Sequence, residues 1–140
     1  MDFIARFIWQ INKNGLVYMA RRLEEFNIGS GQLPLLMLLY NHKDGLNQKE
    51  ISQLLNIDKG ATAKAVLKLL NEGYIERKDD PIDNRMYRIY LTKKANKIGD
   101  KLLKIAEEWQ NILLNRFQKN DKAYMLESLK IMKDNSMDYK

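Results

Sequence analysis

The chain has 140 residues, 45% of them apolar, which suits one domain with a core of its own. Its formal net charge of +6 and pI near 9.4 bias it toward polyanions, whether nucleic acid or an anionic membrane. With no cysteine present, disulfides, cysteine-type zinc sites and thiol-based oxidant sensing are excluded.

Asp2 and Arg6 interrupt the first apolar residues and no small-residue cleavage site follows them, so no targeting signal is read there. The longest apolar run, Leu33 to Tyr40, falls far short of the ~20 residues that span a membrane. A cytoplasmic protein without a membrane role is the expectation.

From Phe3 to Phe26, apolar residues recur every three or four positions, the stripe of an amphipathic helix. Gly15 is a weak point where that helix could bend, and Gly29-Ser30-Gly31 ends it. Ser30 can cap a second helix with Pro34 in its first turn, and the leucines from Leu33 to Leu39 predict that this helix is buried on most sides. Lys43-Asp44-Gly45 makes a turn. Asn47 followed by Glu50 has the form of a capping box opening a short helix through Leu55. Asp58 caps the next helix, which turns Ala61, Ala65, Val66, Leu69 and Leu70 inward until Gly73 stops it. Two short helices with small residues at their crossing make a helix-turn-helix.

Tyr74 to Lys78 and Met86 to Leu91 alternate as strands around the turn-rich tip Asp79-Asp80-Pro81-Ile82-Asp83-Asn84. Thr92 can cap a long helix to about Phe117, and Asn120-Asp121 starts a last one carrying Met125, Leu129 and Met132. The fold class is mainly α with a small β-hairpin (α+β). The long helix from Lys93 onward, with Trp109 and Phe117, carries more apolar surface than a small winged module covers, so a partner subunit is expected, the alternative being an intramolecular bundle with the first helix.

This order of elements resembles the MarR family of transcriptional regulators. Leu46-Asn47-Gln48-Lys49-Glu50-Ile51 is similar to that family's entry into the helix-turn-helix, and Leu69 to Arg77 to its helix exit and first wing strand. Asp83-Asn84-Arg85 matches its Asp-x-Arg wing motif, and Leu91-Thr92 its junction to the long helix. The resemblance implies a single domain over residues 1–140, in which 32–91 form the winged helix-turn-helix and 1–28 and 92–140 the dimerisation helices. It implies a DNA-binding transcriptional regulator, a homodimeric repressor, and a small aromatic or amphipathic effector held between dimerisation helices and winged module. Trp9, Met19, Met37, Tyr40 and Trp109 could line such a pocket, although Met and aromatic residues at helical spacing are more often plain core.

On the helix over 58–71, Lys59, Gly60, Thr62, Ala63, Lys64 and Lys68 read as solvent-facing candidates for the major groove. Lysines there can reach guanine acceptors or phosphates, Thr62 a base edge, while Gly60 and Ala63 allow close approach. Family members often carry a hydroxyl residue and arginine where this chain has Ala63-Lys64, so base readout is expected to be thinner and the wing correspondingly weightier. In the wing, residues 79–86, Arg85 suits a narrow minor groove and Asp83 resembles the family acid that orients it; Asn84 and Arg88 belong to the same surface. Arg77 and Lys78, like Arg88, read equally as phosphate contacts or as plain hairpin surface. A two-fold dimer would set its recognition helices ~34 Å apart on a pseudo-palindromic double-stranded operator.

Other classes fit less well. Asp79-Asp80-x-x-Asp83 looks like a magnesium cluster, yet Pro81 opposes a convergent helical presentation. His42 is the only histidine, no P-loop or dinucleotide motif occurs, and neither an enzyme activity, a metal nor a cofactor is expected. The serious alternative is a winged-helix protein–protein interaction module without specific DNA binding.

Overall fold

The structure, a computed structural model, describes residues 2–139. It divides into two compact units, the first extending to Ile105 and the second beginning at Ala106.

In the first unit, helix α1 spans Ile4–Leu23 and runs through Gly15 without a break. It ends earlier than the glycine cluster predicts, because a 3-10 turn at Glu24–Phe26 leads into Asn27, whose φ of 56° is left-handed. Asparagine tolerates that conformation better than most residues, and its N–H closes the turn on the Glu24 carbonyl. Helix α2 spans Leu33–Tyr40 with Pro34 in its first turn. Ser30 is not its cap. The N-cap residue is Gln32, which makes no side-chain cap bond, and its Oε1 instead accepts the Gly29 N–H at 2.6 Å.

The short strand β1, Leu46–Asn47, precedes helix α3, Gln48–Leu55. The capping box forms as its residues dictate: Asn47 Oδ1 accepts the Glu50 N–H at 2.8 Å and Glu50 Oε1 accepts the Asn47 N–H at 3.4 Å. Asn56, at φ 55°, ends α3, and Asp58 Oδ1 accepts the Ala61 N–H at 2.6 Å to open helix α4, Lys59–Asn71. Strands β2, Ile75–Asp79, and β3, Tyr87–Leu91, pair antiparallel with Arg77 opposite Ile89. The expected two-stranded hairpin is a three-stranded sheet in the order β1-β3-β2, because Leu46 and Asn47 pair with Ile89 and Arg88. A two-residue strand has no alternation to read, so only the fold reveals it. Thr92 Oγ1 accepts the Ala95 N–H at 3.4 Å and opens helix α5, Lys93–Leu113.

Leu23, Leu35, Leu36, Leu39, Ile51, Val66, Leu69, Ile89 and Leu102 are fully buried at the centre of the core. They come from every layer of the unit, so helix-turn-helix, sheet and the start of α5 share one interior. Each buried leucine adds ~1.5 to 3 kcal/mol of hydrophobic stabilisation before entropy is counted. By contrast α1 buries only Leu23, leaving Ile4, Phe7, Ile8, Trp9, Ile11, Leu16 and Val17 exposed, as is Phe3 just before it.

In the second unit, α5 ends at Leu113 rather than near Phe117; the N–H of Phe117 bonds the Leu114 carbonyl and Arg116 takes a φ of 76°. Helix α6 spans Asp121–Met137 and contains no buried residue. Tyr124, Leu126, Leu129 and Ile131 are all exposed on it. Among the described residues no helix is long and apolar enough to cross a membrane.

Candidate nucleic-acid interface

Helix α4 has two faces set by its period. Thr62, Ala65, Val66 and Leu69 turn inward, whereas Gly60, Ala63, Lys64, Leu67, Lys68 and Asn71 fall at spacings of three and four on the outside, with Lys59 exposed at the start. Five of the six groove candidates, Lys59, Gly60, Ala63, Lys64 and Lys68, are therefore solvent-facing.

Thr62 is the correction. It is fully buried, two positions out of phase with Gly60 and Lys64, and its hydroxyl lies 2.6 Å from that of Ser52 while donating to the Asp58 carbonyl at 3.0 Å. The polar side chain is enclosed because two small hydroxyl residues allow α3 and α4 to cross closely and satisfy each other there. It ties α3 to α4 and does not face solvent with the other candidates. Leu67, by contrast, is 56% exposed on the outer face between Lys64 and Lys68. An apolar residue type does not by itself suggest a groove contact, but its spacing from Ala63 and Lys64 places Leu67 outside.

The wing tip is held by its own carboxylates. Asp80 is 7% exposed, and its Oδ1 accepts the N–H groups of Ile82 at 2.9 Å and Asp83 at 3.3 Å. The loop closes through the Asp80 N–H to the Met86 carbonyl and the Met86 N–H to the Asp83 carbonyl, both 3.0 Å. Asp83 Oδ1 accepts from the Arg85 backbone at 3.1 Å and from its Nε at 3.2 Å, while Oδ2 accepts from Nη2 at 3.4 Å. The guanidinium is thus oriented while 87% of the Arg85 side chain remains open to solvent. Ile82, at 93% exposure, and Asn84 stand beside it.

Both carboxyls are held below the ordinary value of 3.8. For Asp80 the main cause is the Ile82 N–H, with burial opposing and the Asp83 N–H and Arg88 assisting. For Asp83 it is the Arg85 side chain, then the Arg85 N–H. These acids are occupied by their own loop and by arginine. Among the described residues no group of three or more His, Asp or Glu side chains is arranged to hold a metal ion.

Arg88 is the second correction, since it does not face outward with the wing. Its side chain is only 18% exposed; Nε and Nη2 donate to the carbonyls of Asp44 at 3.2 Å and Gly45 at 2.8 Å, and Nη1 to Glu50 and Asp80 at 3.4 Å each. Four of the five N–H donors of the fork are thus engaged within the chain. Arg77 and Lys78 are exposed on the edge strand β2, Arg77 over the Tyr87 ring at 5.8 Å and Lys78 over Tyr90 at 5.1 Å, with Glu76 3.4 Å from the lysine.

A cleft of about 620 Å³ opens in the first unit, lined by Met37 and Tyr40 from α2, Lys43, Glu76, Lys78, Tyr90 and, on α5, Asn96, Gly99, Asp100 and Leu103. Of the five effector candidates it brings together Met37 and Tyr40. Met19 packs against the core and Trp9 is 61% exposed on α1; neither lines this cleft, and Trp109 belongs to the second unit. Tyr40 donates its hydroxyl to the Ala95 carbonyl at 2.5 Å, and burial, with Tyr74 contributing, pushes its pKa up to about 12.

Residues 28–87 match the model of the MarR family. The HTH-type transcriptional regulator BilQ of Clostridium symbiosum is 31% identical over 103 residues, 74% of this chain and 71% of that protein. A MarR transcriptional regulator from Methanosarcina mazei Go1 matches at 40% identity with a TM-score of 0.92, covering 100% of both chains. MepR of S. aureus, solved as a complex with DNA, shares the fold at 23% identity and a TM-score of 0.86, over 96% of this chain and 99% of that one. A capped helix-turn-helix with a basic outer face, a braced Asp-x-Arg wing and relatives of this kind make the chain a member of the MarR family of transcriptional regulators.

Proposed function

We propose that the protein is a repressor that binds a pseudo-palindromic operator as a homodimer, with α4 in the major groove and Arg85 in the adjacent minor groove. The observation that carries this reading is the joint presentation of two surfaces. Lys64, Leu67 and Lys68 stand out from α4 on a face free of acids, and the wing holds Arg85 extended by its bond to Asp83. An assembly module would need neither. Lys59, Lys64 and Lys68 supply phosphate or guanine contacts, Leu67 an apolar contact for a thymine methyl, and Gly60 and Ala63 room for the duplex. Arg77 and Lys78 add phosphate contacts at the edge of the wing.

The exposed apolar residues of α1, and separately those of α6, are the surfaces that a second copy would cover. The two-fold axis of such a dimer would carry over to the DNA as two half-sites about one helical turn, ~34 Å, apart. The cleft lined by Tyr40, Tyr90 and Met37 is the candidate effector site, and its occupant would release the operator. Its wall also carries Lys43, Lys78, Glu76 and Asp100, so an amphipathic ligand with polar groups fits better than a purely aromatic one.

Selection of bound duplexes from random DNA by the purified protein, at two salt concentrations, tests the reading. The expected product is a palindrome whose half-sites are one turn apart. Recovery of unrelated sequences would remove the dimeric operator model and favour a module for binding other proteins.

A further inference from the structure

We propose that Arg88 is the positioning residue of the wing: it contacts no DNA, and it sets the place of Arg85 by tying the wing tip to the entry of the helix-turn-helix. The inference rests on the minor-groove role of Arg85 proposed above.

Three separate pieces of backbone meet at this one guanidinium. On the wing it bonds Asp80, whose other oxygen gathers the N–H groups of Ile82 and Asp83. At the helix-turn-helix it bonds Glu50, which also closes the capping box of α3 by accepting from Asn47. Between them it bonds the carbonyls of Asp44 and Gly45 in the turn before β1. Gly45 stands at φ +84°, and a Cβ there would meet the Tyr90 ring at 2.7 Å, so only glycine fits this turn.

The chain of contacts then runs from Glu50 through Arg88 to Asp80, and through the Asp83 N–H to the residue that orients Arg85. A planar fork with donors in fixed directions can serve two carbonyls and two carboxylates together; a lysine ammonium cannot span that set. Arg88 stands opposite Asn47 across the sheet and opposite Lys78 in the hairpin, at the centre of the three strands. Its loss leaves β3 paired but frees the tip from the helix-turn-helix.

The experiment measures operator affinity and its salt dependence for the full chain, with Arg88→Met, Arg88→Lys and Arg85→Ala singly and Arg88→Met combined with Arg85→Ala. A positioning role predicts that Arg88→Met weakens binding roughly five- to tenfold, that lysine does not rescue it, and that the salt slope stays as in the wild type. In the Arg85→Ala background the Arg88 substitution should cost nothing further, because there is no guanidinium left to place. Rescue by lysine, together with a slope reduced by about one in the methionine variant, would make Arg88 a phosphate contact and overturn the proposal. Additive losses in the double variant would overturn it as well.

Asp80→Asn keeps an oxygen for the loop N–H groups but weakens the bond to Arg88, so it provides the same comparison should Arg88→Met fail to fold. It should lower affinity in the wild-type background and not beside Arg85→Ala; any other pattern counts against the proposal. If Arg85→Ala itself binds like the wild type, the wing reading fails and the proposal falls with it. If Arg85→Ala weakens binding and the Arg88 variants do not, only the proposal falls.

Discussion

Thr62 and Ser52 show how much a helix crossing depends on two hydroxyls. Their oxygens are 2.6 Å apart, and Thr62 is fully buried. Thr62→Val has nearly the same shape but leaves Ser52 without that partner, so urea unfolding should show a loss of about 1 to 2 kcal/mol. Unchanged stability would mean that water satisfies Ser52 equally well. Arg85 is the opposite case, since its side chain is 87% open. Arg85→Ala should leave the unfolding midpoint and the oligomeric state unchanged while lowering operator affinity. Lys64→Ala should cost ~1 to 3 kcal/mol of binding and relax preference at one position if the lysine reads a base; a uniform loss over all sequences would make it a phosphate contact.

At the scale of elements, the wing is a loop stabilised by ionised carboxylates, and this fixes its response to acid. Asp80 and Asp83 both titrate below the ordinary 3.8. The stability they add is fully present above the ordinary carboxylate range and is lost only as pH falls through their lowered values. Backbone NMR shifts of residues 80–86 should therefore hold constant from neutrality to about pH 4 and change below it. A transition near pH 6 would contradict the bonding described for the tip.

The helix boundaries at Asn47, Asp58, Gly73 and Thr92 were legible because a cap is a local matter, decided within three or four residues. The outer face of α4 was legible in part, as its period separates Lys64 and Lys68 from Val66 and Leu69. What could not be read were the partners supplied from afar. Thr62 is enclosed by Ser52, ten residues away, and Arg88 is drawn inward by Glu50, 38 residues away. An arginine on an alternating strand beside a basic tip reads as surface until the acid opposite it is known. Leu67 shares the outer face by its period, but an apolar residue type gives no signal of DNA contact.

For the whole molecule, the apolar residues left in the open on α1 and α6 are as informative as the core. A helix such as α6, with no buried residue, gains little from packing within its own chain. Leu129→Glu should shift the protein toward monomer in sedimentation velocity and weaken operator binding at the same time, because a monomer engages only one half-site. A fully dimeric Leu129→Glu protein would exclude that face from the interface. If about six phosphates are neutralised per dimer, log affinity should fall against log salt with a slope of ~ −5. A flat salt response would argue against DNA as the partner.

At Gly99 the cleft meets the Tyr40 ring. A Cβ at this position would lie 3.0 Å from that ring, so an alanine requires the tyrosine, whose hydroxyl bonds the Ala95 carbonyl, to give by a few tenths of an ångström. On the effector reading proposed above, that added methyl group presses on the tyrosine from within the cleft, as a bound ligand would. If the cleft is the effector site proposed above, one codon change at position 99 does permanently what the ligand does on arrival, and release of the operator becomes heritable.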